Sequence, residues 1–70
     1  MTVVMLNGER REMNGRATVA AAVELAGAPE GGRGVAVALD GEVVPRGEWA
    51  TTEVRDGQEL EVLHAVQGGA

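Results

Sequence analysis

The sequence predicts an α+β domain in which one helix lies across one face of a mixed sheet of four to five strands. Three observations carry this. Asn7-Gly8, Asp40-Gly41 and Asp56-Gly57 punctuate short apolar runs of strand length. One stretch alone, Val19 to Ala26, repeats its apolar residues at helical spacing. The last run, Glu59 to Val66, carries Leu60, Val62 and Val66 on one face and Leu63 and Ala65 on the other, which predicts a central strand.

Taken in order, Thr2 to Asn7 holds Val3, Val4, Met5 and Leu6 and predicts the first strand. Asn7-Gly8 then turns the chain, because both residue types tolerate positive φ. Glu9 to Met13 is mostly polar and returns as a strand near a sheet edge. Thr18 is placed to cap a helix, with Val19, Ala22, Val23 and Ala26 as its apolar stripe. Gly27 suits the left-handed position after the last turn, and Pro29 prevents the helix from resuming. Eight residues of helix would not survive in water without a sheet beneath them.

Pro29-Glu30-Gly31-Gly32-Arg33-Gly34 reads as a connection. A phosphate-binding loop would need a strand before it, a helix after it and usually a lysine, and none of these is present. Val35, Val37 and Leu39 alternate with Ala36, Ala38 and Asp40, which predicts a strand with one large-residue face. Glu42-Val43-Val44 returns beside it and is stopped by Pro45. One turn of helix is expected around Glu48-Trp49-Ala50 within an otherwise irregular stretch. Hairpin, helix and then further strands, with no second helix for the other face, is the β-grasp layout.

At 70 residues the chain has room for a single domain, taken as residues 1–66, followed by a flexible glycine tail, residues 67–70. It contains no cysteine and one histidine, His64, which excludes a disulfide scaffold, a thiol nucleophile and a zinc module. No apolar run approaches the length of a membrane span, and a soluble cytoplasmic protein is expected. Eleven acidic residues against six arginines give a net charge of −5, which opposes binding to nucleic acid. Trp49 is the only aromatic residue, so no row of rings exists for stacking bases. A protein partner with a basic face fits this charge better.

Catalysis by the chain itself is not expected. Glu59 and Glu61 share a strand face, the usual mark of solvent exposure, and His64 sits near a strand end as a boundary residue. Trp49 reads as a plug over a small core. The remaining feature is the C-terminal segment Val66-Gln67-Gly68-Gly69-Ala70. A Gly-Gly segment is mobile and thin, because glycine has no Cβ. Extended, the four residues after Val66 would reach about 13 Å, enough to carry a terminal carboxylate into another protein's active site.

Tail and body together resemble the ThiS family of sulfur carrier proteins, ubiquitin-like β-grasp domains of bacterial thiamin biosynthesis. The resemblance rests on Leu6-Asn7-Gly8, Thr18-Val19 and the stretch from Val37 to Arg46 containing Val43-Val44-Pro45-Arg46. Glu48-Trp49, Asp56-Gly57-Gln58 and the closing Val66-Gln67-Gly68-Gly69 complete it.

The resemblance implies that the chain binds no cofactor of its own. A ThiF-type adenylyltransferase would use ATP and magnesium to activate the terminal glycine carboxylate. A sulfur-donor protein would convert it to a thiocarboxylate, and thiazole synthase would consume the sulfur. Carried over, Gly69 bears the sulfur, while Gly68 and Gln67 give slender access. Ala70 departs from the family pattern, which stops at the second glycine, and is expected to be trimmed by a C-terminal peptidase. Leu60, Val62, His64 and Val66 are the expected docking residues. Sister carriers for molybdopterin or cysteine biosynthesis are the nearest alternative. Leu63-His64-Ala65-Val66 lacks the aromatic-proline stretch usual before the glycines of the molybdopterin carrier. A β-grasp binding module with an inert tail, or a protein-conjugating modifier, are alternatives of other classes.

Overall fold

The structure, a computed structural model, describes residues 1–28 and 33–64. Most of the glycine-rich connection and the C-terminal segment, with the expected boundary at residue 66, lie outside the described residues. The elements are β1 (Thr2–Leu6), β2 (Glu9–Met13), α1 (Val19–Leu25), β3 (Val35–Leu39), β4 (Glu42–Val43) and β5 (Glu59–His64). A 3-10 turn spans Arg46–Glu48, two residues upstream of the helical turn expected around Trp49.

The five strands form one sheet in the order β2-β1-β5-β3-β4. β1 and β5 run parallel and the other pairs antiparallel, so the sheet is mixed. The edge strands are those with the weakest apolar pattern. β2 presents Glu9, Arg10, Arg11 and Glu12, charges that discourage pairing with another chain. Both hairpins close through left-handed pairs, Asn7 (φ 50°) with Gly8 (φ 83°) and Asp40 (φ 49°) with Gly41 (φ 86°).

The seven-residue helix α1 is held by its ends. At the start, Val19 N–H donates to Thr52 O at 2.9 Å, Ala20 N–H to Trp49 O at 3.0 Å and Ala21 N–H to Thr18 Oγ1 at 3.1 Å. The amides that a helix normally leaves unpaired are therefore used up, and this terminus is closed to an anion. At the other end Gly27 (φ 80°) donates to Glu24 O and Ala28 to Val23 O, the paired bonds of a Schellman stop.

The core lies between α1 and one sheet face. Val19, Ala22 and Val23 of the helix meet Val4, Leu6, Val37, Leu60 and Val62 of the sheet. Burying a Val or Leu side chain of this kind contributes about 1.5–3 kcal/mol. Trp49 closes one end at 7% exposure, as a plug, and its Nε1–H donates to the Val44 carbonyl at 2.9 Å.

β5 is central, but not because it is buried on both faces. It is paired with β1 on one side and β3 on the other. Its outward residues are Glu59, Glu61 and Leu63, and Leu63 is 63% exposed. Nothing covers that face among the described residues, so the two-sided burial expected from the sequence is corrected.

Candidate functional site

β5 is the strand that leads to the C-terminal segment, and its fixation decides where that segment starts. Against β3 it is paired from Leu39↔Leu60 to Val35↔His64. At its start, Asp40 in the β3–β4 turn accepts Glu59 N–H at 2.9 Å and Gln58 Nε2–H at 3.0 Å. These bonds hold the Asp40 carboxyl below its ordinary value of 3.8, the backbone N–H of Glu59 being the larger cause. Gln58 also accepts Arg55 N–H at 2.6 Å, so one side chain ties the turn before β5 to the opposite hairpin.

On the other edge β1 supplies main-chain bonds only as far as Asn7 N–H to Leu60 O at 2.9 Å. One step further along, the Asn7 side chain takes over. Val62 N–H donates to Asn7 Oδ1 at 2.8 Å, and Asn7 Nδ2–H donates to Val62 O at 3.2 Å.

The expected docking set is only partly at the surface. Leu60 and Val62 point into the core, at 1% and 6% exposure, and cannot meet a partner; they anchor the strand instead. His64 is exposed at the end of β5, opposite Val35. Val66, Gln67, Gly68, Gly69 and Ala70 lie outside the described residues.

Of the exposed apolar residues, Leu63 was expected on a buried strand face and Val43 only as part of a returning strand. Leu63 faces outward beside Ala36, its β3 partner, and Val43 stands at 77% exposure opposite Ala38. Glu59 and Glu61 lie on the same outer face. Their parity was the available signal: residue 63 shares a face with 59 and 61, so two glutamates already marked that face as wet.

No group of three or more acidic or histidine side chains converges on a metal-sized site among the described residues. No helix there is long and apolar enough to cross a membrane. What remains is a small acidic body with an apolar strip on an open sheet face and a firmly held strand running out toward a glycine-rich end. This is a ubiquitin-like β-grasp domain.

The comparisons with known proteins make the class specific. The sequence profile of the ThiS family matches residues 4–69, and the chain belongs to that family. The crystal structure of the thiamine biosynthesis protein ThiS from Geobacter metallireducens superposes with a TM-score of 0.75 at 27% identity. The match covers 97% of this chain and 100% of that one. None of the curated proteins compared matches the chain.

Proposed function

We propose that this protein is the sulfur carrier of thiazole formation in thiamin biosynthesis, with Gly69 as the bearer. The observation that supports this most is the family match running through residue 69, with the glycine pair at its end. A ThiF-type enzyme adenylates the glycine carboxylate with ATP and magnesium, releasing pyrophosphate. A carboxylate is a poor acyl donor; the mixed anhydride with AMP is a good one. The outer sulfur of a donor persulfide displaces AMP to give an acyl disulfide. A thiol then cleaves the S–S bond, leaving a disulfide and the glycyl thiocarboxylate that thiazole synthase consumes.

The chain supplies the reacting group and its partners supply the catalytic residues. A sulfur carrier without cysteine is consistent with this, since the backbone terminus holds the sulfur. Residues after Gly69 are removed by a peptidase before activation. Partners dock on the outer sheet face, where Leu63, Ala36 and Val43 offer apolar contact and Glu59 and Glu61 attract basic side chains. The test is a chain lacking Gly68, Gly69 and Ala70 in cells that depend on it for thiazole. Loss of thiazole production is expected. Sustained production would overturn the proposal and favour an inert tail.

A further inference from the structure

We infer that Asn7 is a positioning residue, whose side-chain amide continues the β1 edge of the sheet and sets the direction in which the chain leaves β5. The inference rests on the carrier reading above for its purpose, and on geometry for its substance. β1 cannot extend beyond Leu6, because the chain must turn at Asn7-Gly8 to form β2. Its last main-chain bond to β5 reaches Leu60. Two residues later, Val62 would face an empty edge.

The Asn7 amide fills that place with one acceptor and one donor, as a peptide group would. Oδ1 takes Val62 N–H at 2.8 Å and Nδ2–H gives to Val62 O at 3.2 Å, across 55 residues of sequence. β5 is thereby held on its β1 edge at Val62, while β3 pairs along its other edge from Leu60 to His64.

The turn alone does not require asparagine. A left-handed residue at this position could be Asn, Asp or Gly. Of these, only Asn offers both a donor and an acceptor to Val62. Glycine offers neither, and aspartate would set a second oxygen against the Val62 carbonyl. The choice of side chain therefore answers to β5 and not to the hairpin.

For a carrier, a strand held at Val62 fixes the point on the body from which the reacting end is offered to a partner. A docked body then presents its end to the activating site more often. Binding of the body itself, through the outer face, is untouched.

The experiment compares the full chain with Asn7→Gly and Asn7→Asp, both of which keep the turn. Amide hydrogen exchange is followed at Val62, with Leu60 and Val37 as internal references. Adenylation kinetics are measured with a ThiF-type enzyme, ATP and magnesium on chains ending at Gly69. In Asn7→Gly, Val62 exchange is expected to rise about tenfold, the size of one lost hydrogen bond, while the references change less than threefold. The kcat for adenylation is expected to fall about five- to tenfold with KM within twofold. Asn7→Asp should fall between Asn7→Gly and wild type in both readouts.

Wild-type exchange at Val62 in both variants would overturn the inference, because a role confined to the turn predicts that result. An equal rise at Leu60 and Val37 would do so too, since it reports general loosening. An unchanged kcat in Asn7→Gly, beside an adenylated wild type, would overturn the positioning role while leaving the carrier reading intact. A wild-type chain that forms no adenylate would overturn the carrier reading, and with it the orienting role of Asn7.

Discussion

Asp40 and Glu59, nineteen residues apart, are joined by a 2.9 Å hydrogen bond in which the carboxylate Oδ1 accepts the backbone N–H at the first residue of β5. The second oxygen accepts from Gln58, so a single turn residue organises the start of the strand that leads to the C-terminus. Asp40 does this while holding φ at 49°, a conformation that Asn shares at little cost.

Asp40 makes part of the stability pH-dependent. Its carboxyl is more acidic folded than unfolded, so the stabilisation is complete above the ordinary carboxyl range and fades as pH falls through the folded value. Asp40→Asn keeps the turn and removes the charge. Urea midpoints for wild type and variant should differ most near neutrality and converge as the pH falls below the ordinary carboxyl range. A gap that stays constant on acidification would contradict the assignment.

Trp49 is held by shape and by one bond to the Val44 carbonyl. Trp49→Phe keeps most of the apolar bulk and strands that carbonyl, so a loss of about 1–3 kcal/mol is expected. Trp49→Ala should cost about 3–5 kcal/mol. Chemical denaturation followed by far-UV circular dichroism checks both, since the variants lose the chain's only tryptophan. A Trp49→Phe protein as stable as wild type would show that the bond contributes nothing.

Leu60 and Leu63 lie three residues apart on opposite faces of β5, and their variants should separate cleanly. Leu60→Ala opens a cavity at a nearly closed core position and should cost about 2–5 kcal/mol. Leu63→Ser should leave stability within about 0.5 kcal/mol. The same variant should raise the KM for the activating enzyme about five- to tenfold, as loss of a central apolar contact does. Thermal melts together with adenylation kinetics give both numbers. A destabilised Leu63→Ser, or one with an unaltered KM, would remove the outer face from consideration as the docking surface.

Much of the fold was legible in local chemistry. Asn7-Gly8 and Asp40-Gly41 mark their turns by the positive φ they tolerate, and both hairpins form there. Thr18 caps the helix and Gly27 ends it, as side-chain and backbone preference dictate. The errors came where pairing and burial diverge. β5 is central by hydrogen bonding yet exposed on one face, so counting apolar residues on both faces gave the right position for the wrong reason. Leu60 and Val62 are apolar at the end of the chain's path, which suggested docking, but their shared face is the core face.

The site's supports were less legible. The bonds of Asn7 to Val62 and of Asp40 to Gln58 join residues 55 and 18 apart. Each polar side chain already had a sufficient local role in a turn. Only the sheet order, with β5 between β1 and β3, brings both turns beside the strand they hold.

The most direct measurement is the intact mass of the chain ending at Gly69 after incubation with a ThiF-type enzyme, ATP, magnesium, a persulfide sulfur donor and a thiol reductant. The expected result is a gain equal to replacing one oxygen by sulfur, absent when ATP is withheld and absent from a chain cut before Gly68. An unshifted mass, or the same gain on the shortened chain, would contradict the assignment of sulfur to the terminal glycine.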